Sequence, residues 1–260
     1  MSSSREILLN AAETGDVEKL RDFGASEPEK LQALGLTIED LLAAAATTNQ
    51  TDVVQFCITS GAKITPQVES AASSGTGVEV YEILLPLGLP QLNESLRTSG
   101  GVVVRAVSDD DIALLTYLLE NGADPDGGGR FEWMPAIAVA IEEGKDLEII
   151  KLLARYGADV KRKGLLAMAA NEDRVDVIEY LLESGASINE DVGDCVLLPH
   201  DKGSALHVAA AEDHLDVVRT LVEKGADVGL KDSEGKSALD KAKQAGHSVI
   251  VDFLEHHRAT

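Results

Sequence analysis

Residues 204–227 read SALHVAAAEDHLDVVRTLVEKGAD, a short alanine-rich segment followed by a longer apolar one that ends in glycine. Asp216 opens the second segment, and apolar residues recur about one helical turn apart, at Val217-Val218 and Leu221-Val222. This periodicity is helical rather than that of a strand. Gly225 follows the apolar run, and glycine ends a helix well because it adopts left-handed backbone without a Cβ penalty. The stretch therefore predicts two close-packed helices ended by glycine.

The same pattern recurs along the chain. Clear copies of the Gly-Ala ending begin at Gly122, Gly157, Gly185 and Gly225, and fainter ones at Gly24, Gly61 and Gly88. Five of these glycines have an acidic residue nine positions earlier, namely Asp52, Glu79, Glu148, Asp176 and Asp216. We expect each acid to cap amides of the first helical turn and to complement the helix dipole. Shorter alanine-rich helices are expected at Leu41 to Ala46, Ala136 to Ile141, Leu165 to Ala170 and Ala205 to Ala211.

The residues from Ser204 to Ala210, Ser-Ala-Leu-His-Val-Ala-Ala, resemble the Thr-Pro-Leu-His-x-Ala-Ala opening of ankyrin repeats. Asp232 to Asp240 resembles the next opening, and Met134-Pro135-Ala136-Ile137 is a degenerate one. The resemblance is closest from about Asp110 onward and looser before it. It implies an all-α ankyrin-repeat solenoid of stacked helix-turn-helix units, joined by β-turn tips, with a period of roughly 33 residues.

The resemblance predicts one ankyrin-repeat domain over residues 1–260. It has about eight repeats, at 5–26, 38–63, 65–90, 100–125, 133–160, 163–188, 203–228 and 236–258. Ankyrin proteins commonly hold protein partners on a concave groove and on their turn tips. The resemblance therefore implies a protein-binding adaptor or inhibitor that is not an enzyme and needs no cofactor.

Composition narrows the class of partner. Aromatic residues make up only 3% of the chain, which disfavours a β-sandwich. The formal net charge of -22 would repel nucleic-acid phosphates and anionic lipids, so we expect neither nucleic acid nor membrane as a partner. This charge favours a basic protein partner, or it simply keeps the chain in solution. The acidic surface also favours a monomer.

Cysteine usage and the ends of the chain bear on location. Cys57 and Cys195 lie far apart and form no CxxC, which indicates a reducing compartment. The first residues lack the long apolar run of a secretory signal. No stretch of 18 consecutive apolar residues suggests a transmembrane helix. We expect a cytoplasmic or nuclear protein.

Several tips differ from the repetitive background and are the predicted partner-binding sites. Residues 126–133 contain Arg130, Phe131 and the single tryptophan, Trp133, which are residue types found at binding hot spots or packed between tips. Arg162 is the centre of Lys161-Arg162-Lys163, a run of basic residues in an acidic chain that we call the basic island. The remaining predicted contacts are Cys195 and His200, in a loop at 188–203 longer than the other tips, and Lys231 and Asp232.

Patterns of catalytic chemistry are few. We predict no catalytic residues and no metal site, because the chain contains no phosphate loop, His-Glu-x-x-His or Gly-x-Ser-x-Gly sequence. His207, His214 and His247 fit the family pattern and are expected to hydrogen-bond turn backbone. Cys195 and His200 support the alternative, a small-molecule-binding or catalytic groove with an imidazole-activated thiol.

Overall fold

The computed structural model describes residues 3–75, 77–88, 101–126, 134–193, 195, 197 and 203–258. These residues contain helices and turns and no strand, which confirms the all-α fold class. Contacts divide the chain into two compact units, Met1–Ala123 and Asp124–Thr260. We call them the N-terminal unit and the C-terminal unit. The single domain over 1–260 stays a prediction.

The N-terminal unit contains nine α-helices in its described part. They are α1 (Ser4–Thr14), α2 (Val17–Phe23), α3 (Pro28–Gln32), α4 (Ile38–Thr47), α5 (Thr51–Thr59), α6 (Pro66–Ser74), α7 (Val78–Leu84), α8 (Val102–Ser108) and α9 (Ile112–Glu120). A 3₁₀ turn, Leu85–Leu87, extends α7. Apart from α3, the helices follow one another in pairs along the chain. Helix α4 packs against both α1 and α6, and α5 packs against α2 and α7.

The C-terminal unit repeats this arrangement in four further pairs. Its helices are α10 (Ala136–Glu142), α11 (Leu147–Arg155), α12 (Leu165–Asn171), α13 (Val175–Glu183), α14 (Ala205–Ala211), α15 (Leu215–Glu223), α16 (Ala238–Ala245) and α17 (Ser248–Arg258). The first helices of the pairs pack in a row, α10 on α12, α12 on α14 and α14 on α16. Each of the eight predicted ranges thus contains one helix pair.

Burial explains why the two helices of a pair differ in composition. Leu165–Ala170 in α12 and Ala205–Ala210 in α14 are buried on every side, as expected for a helix with neighbours all round. The second helices are amphipathic, with Val217, Val218 and Leu221 of α15 buried and Arg219 exposed. Small alanine side chains allow the first helices to approach closely, as the sequence predicted.

The glycine pattern has the predicted backbone conformation. All seven glycines at the ends of the apolar segments have positive φ, between 79° and 103°: Gly24, Gly61, Gly88, Gly122, Gly157, Gly185 and Gly225. A different constraint holds Gly75, whose φ is -80°. A Cβ there would collide with the carbonyl oxygen of Ala46 and lie 3.0 Å from that of Thr47. Gly75 is therefore needed for the close approach of α6 to α4.

The predicted role of the acids at the helix starts is only partly correct. Each lies in the first helical turn, where its charge complements the dipole. None is the N-cap, because that position falls on Gln50, Gly77, Asp146, Arg174 and His214. Among these five, only the Asp146 side chain accepts a capping hydrogen bond, from the Glu148 amide at 2.9 Å.

Candidate functional site

The aspartates of the Gly-Ala-Asp sequences shape the tips. Asp124, Asp159 and Asp227 each accept a hydrogen bond from the amide two residues later, at 2.9, 3.0 and 2.8 Å. This local contact mimics a backbone turn and fixes the direction in which the tip leaves the helix pair. The aspartates themselves are exposed. Three tips of the C-terminal unit and its border therefore share one backbone geometry.

Neighbouring tips of the C-terminal unit are also bonded to one another. The Asp159 amide donates to Oδ2 of Asp126 at 2.9 Å, and the Asp227 amide donates to Oδ1 of Asn189 at 2.9 Å. The Gly164 amide donates to Oε2 of Glu190 at 3.0 Å. We call this set of contacts the tip row. A surface held by its own hydrogen bonds loses little conformational entropy when a partner binds.

Half of the predicted partner-binding residues cannot be placed on this surface. Arg130, Phe131, Trp133 and His200 lie outside the described residues. Their contact with a partner stays a prediction.

Arg162 is half-buried beside the tip row. Its amide donates to the Asp159 carbonyl at 3.2 Å, and its own carbonyl accepts from the Leu165 amide at 3.3 Å. The guanidinium Nε is buried and has no hydrogen-bond partner among the residues that the structure describes. Lys161 and Lys163 on either side are exposed. The basic island thus places two ammonium-bearing side chains at the surface around one anchored arginine.

The described part of the 188–203 loop packs onto the C-terminal unit. Val192, Cys195 and Leu197 are buried, and the Val192 amide donates to the Gly203 carbonyl at 2.7 Å. The Cys195 thiol donates to the Lys163 carbonyl at 3.2 Å. A thiol held inside the fold in this way is not presented to an external substrate. The loop could pack onto the fold or bind a partner, and these three residues pack onto the fold.

Asp232 has an internal role in the turn before α16. Its side chain is fully buried, and Oδ1 accepts from the Glu234 and Lys236 amides at 2.9 and 2.8 Å. Burial alone would raise the pKa of Asp232, but these amides and the Lys241 ammonium, 3.1 Å from Oδ2, lower it. Lys231 is exposed and pairs with Asp240 at 2.9 Å. Of the two, Lys231 is the residue available to a partner.

The histidines perform the predicted backbone role. His207 Nε2 donates to the Lys236 carbonyl at 3.2 Å, and Nδ1 accepts from the Ser204 amide at 3.1 Å. His214 donates to the Ala170 carbonyl and His247 to the Ala211 carbonyl, both at 2.9 Å. The bonds to Lys236, Ala170 and Ala211 each join one helix pair to a neighbouring pair or turn, whereas the Ser204 bond lies within the start of α14. Within the part of the chain that the structure describes, no group of three or more His, Cys, Asp or Glu side chains could hold a metal ion.

The N-terminal unit contains a cavity that the sequence analysis did not predict. It measures about 360 Å³ and lies beside α3, where Ala25, Leu31, Leu36 and Ile38 form apolar walls next to Glu39. The tip between the first two predicted repeats is close to standard length, eleven positions from Ser26 to Thr37 against ten from Asp227 to Ser237, so spacing could not reveal it. Pro28 at the first turn, followed by the good helix formers Glu-Lys-Leu-Gln, was the available signal.

No helix among the described residues combines the length and apolar character needed to cross a membrane.

Two comparisons with known proteins bear on identity. The sequence pattern of the family described as ankyrin repeats (3 copies) matches residues 103–192 and 190–260. The chain is also similar to alpha-latrocrustotoxin-Lt1a from Latrodectus tredecimguttatus, 31% identical over 118 residues. That similarity covers 43% of this chain and only 8% of the toxin. Together with the stacked helix pairs and glycine-ended tips, the family match shows that the chain belongs to the ankyrin-repeat proteins.

Proposed function

We propose that this chain is a protein-binding adaptor or inhibitor that contacts its partner through the turn tips of the C-terminal unit. Ankyrin repeats are generally protein-interaction modules. The tip row supports the proposal that the partner binds at the tips. Its backbone is fixed by internal hydrogen bonds, while Lys161, Lys163 and Lys231 remain exposed along it.

A basic or mixed-charge partner fits the electrostatics. The net charge of -22 makes the chain a strongly acidic body, so long-range attraction would raise the association rate of a basic protein. The tip lysines are local exceptions that would contact acidic side chains of the same partner. Attraction of this kind weakens as salt is added, because the Debye length shortens.

The alternative, a small-molecule or catalytic groove at Cys195 and His200, has less support. The Cys195 thiol is buried and bonded to a backbone carbonyl. We therefore propose a non-catalytic protein, and the net charge of -22 supports the proposal that it acts as a monomer. Both cysteines are free and buried, which suits the proposed cytoplasmic or nuclear location.

The test is affinity capture from lysate of the source cells, with three baits compared by quantitative mass spectrometry. The wild-type chain is compared with Arg162→Ala/Trp133→Ala, which changes two predicted tip contacts. Arg155→Ala is the matched control, because Arg155 is an exposed arginine on the second helix α11. We expect a protein enriched by wild type and by the control but lost with the tip variant. Equal enrichment by all three baits would contradict binding through the tips.

Thermal melting of the same variants shows whether Trp133 contacts the partner or packs within the protein. We expect Trp133→Ala to weaken capture while leaving the melting temperature near that of wild type. A parallel loss of both would instead assign Trp133 a packing role and remove it from the proposed contact surface.

A further inference from the structure

The cavity beside α3 has the dimensions of a side-chain pocket. Its volume of about 360 Å³ falls at the lower end of ligand sites, which run from roughly 300 to 1,000 Å³. Leu31 and Leu36 form its floor and are 1% and 2% exposed, so their apolar surfaces are fixed by the core behind them. Ser26 and Gln32 are exposed and lie on its rim. An apolar group entering the cavity would leave water without displacing any part of the protein.

One negatively charged side chain lies at the edge of this apolar cavity. Glu39 is the single ionisable residue among those that line the cavity. Its Oε1 accepts a hydrogen bond from the Lys63 amide at 3.2 Å, which holds the carboxylate in place. Among the described residues, Oε2 has no hydrogen-bond partner. The nearby Lys30 ammonium is 2.7 Å from Glu27, so it is already paired outside the lining.

The position of the cavity favours a peptide as its occupant. Ala25-Ser26 and Ser60-Gly61, which line it, belong to the tips of the first two helix pairs, and α3 closes its side. A partner chain running along these tips could place one side chain inwards while its backbone stays in solvent. A free metabolite could fill the cavity but would not extend along the tips on either side of it.

We propose that this cavity is an anchor site for a segment of the protein partner, one that carries an apolar side chain directly beside a lysine or arginine. The apolar side chain fills the space over Leu31 and Leu36, and the cation pairs with the free oxygen of Glu39. The inference rests on the proposed protein-binding function and adds a second contact area, in the N-terminal unit, with a defined sequence preference.

The test uses two dipeptide probes on the full chain labelled with nitrogen-15. Acetyl-Leu-Lys-amide and acetyl-Leu-Glu-amide differ only in the charge next to the leucine. We expect amide resonances of residues lining the cavity to shift in a saturable way, with affinity about five-fold higher for the lysine probe, as for one partly screened ion pair. Equal affinities for the two probes, or shifts that do not involve the cavity, would overturn the proposal.

Three variants make the result specific to Glu39. Glu39→Gln keeps an oxygen for the Lys63 amide but removes the charge, so the preference for the lysine probe should disappear. Glu39→Lys should reverse the preference. Glu29→Gln removes an exposed charge on α3 that does not line the cavity and should leave the five-fold preference unchanged. If Glu29→Gln abolished the preference as well, general acidity rather than this site would explain it.

A blocking variant tests the apolar part. Ser26→Trp places a large ring at the rim and should weaken both probes equally, and a spectrum that keeps its dispersion shows that the chain is folded. Retained binding of both probes by this folded variant would exclude the cavity as the site. A failure of these titrations is distinguishable from failure of the proposed function, because capture through the tips of the C-terminal unit does not depend on the probes.

Discussion

The two units use the residue before each second helix in different ways. In the C-terminal unit, Arg174, His214 and His247 donate to a carbonyl of the preceding repeat at 2.8, 2.9 and 2.9 Å, whereas the fourth such residue, Asp146, caps its own helix. In the N-terminal unit, the corresponding residues bond locally. The Gln50 side chain donates to the Thr48 carbonyl in its own turn, and the Asp111 carboxylate accepts from the Leu114 amide of its own helix. Among the described residues, this position thus joins neighbouring helix pairs through side chain-to-backbone bonds in the C-terminal unit, and it does not do so in the N-terminal unit.

The largest expected effect tests the apolar packing of the N-terminal unit. Gly75→Ala forces a Cβ against the carbonyl oxygens of Ala46 and Thr47, so it should lower the free energy of unfolding by about 3 kcal/mol, as overpacking does. Urea unfolding followed by circular dichroism measures the change.

Gly61→Ala is the control for Gly75→Ala. A Cβ at Gly61 meets open space, so the left-handed backbone, with φ 92°, costs only about 1 kcal/mol. Equal losses for the two variants would mean that the helices α4 and α6 do not need their close approach.

The next effect tests the polar bonds of the C-terminal unit. His214→Ala leaves the Ala170 carbonyl without its donor and should lower the free energy of unfolding by about 2 kcal/mol. The counterpart in the N-terminal unit is Gln67→Ala, which removes an exposed bond to Asp40 and should cost about 0.5 kcal/mol. Chemical denaturation measures the loss in free energy of unfolding for each variant. Equal losses would contradict a difference between the two units.

A pH titration sharpens the comparison further, because all six histidines lie in the C-terminal unit. Burial lowers the pKa of His207 below its ordinary value of 6.5, because removal from water disfavours the charged imidazolium, and the hydrogen bond to the Lys236 carbonyl only partly offsets this. The neutral form favours folding, so this contribution is fully present above pH 6.5 and is lost as the pH falls below it.

We therefore expect the urea midpoint of wild type to fall between pH 7 and pH 5.5, and to fall less in His207→Asn. Asp232 and Lys241 are the charged groups near the imidazole, and their opposite effects on it partly cancel. Carboxylates with lowered pKa values, such as Asp176 beside Arg174, act only at more acidic pH. An identical pH dependence of variant and wild type would show that His207 does not carry the effect.

Removal of an exposed ion pair should have the smallest effect on the free energy of unfolding, and the effect should be the same in both units. Lys243 pairs with Glu255 at 2.6 Å and Lys30 with Glu27 at 2.7 Å, and all four side chains are about half exposed. Lys243→Ala and Lys30→Ala should each change the free energy of unfolding by about 0.5 kcal/mol or less, and by less still in added salt. A substantially larger loss in one of them would reveal a contact beyond the ion pair.

Residues that act through their own backbone or through a fixed motif were predictable from the sequence. The positive φ of Gly157 and Gly185 follows from where an apolar run stops, and the bonds of His214 and His247 follow from the family pattern. The family match begins at residue 103, close to the point where the sequence resemblance becomes strong.

What escaped prediction depends on contacts between segments. Asp232 was expected at a partner surface, but the amides of Glu234 and Lys236 turn its carboxylate inwards. The acids at the helix starts miss the N-cap because each helix begins one residue before its acid, as α15 begins at Leu215 and Asp216 follows. Helix α3 lies in a tip of nearly ordinary length, and the cavity is lined by its residues together with residues of both neighbouring helix pairs.

The burial of both native thiols has a practical consequence for labelling chemistry. Burial, with the Glu39 carboxylate adding to it, raises the pKa of Cys57 to about 12, and Cys195 is only 6% exposed. A maleimide reacts with thiolate at the surface, so neither side chain competes with an introduced one. A cysteine in place of Lys161 would accept a fluorophore at the tip row in the otherwise unaltered chain, and partner docking could be followed by its anisotropy.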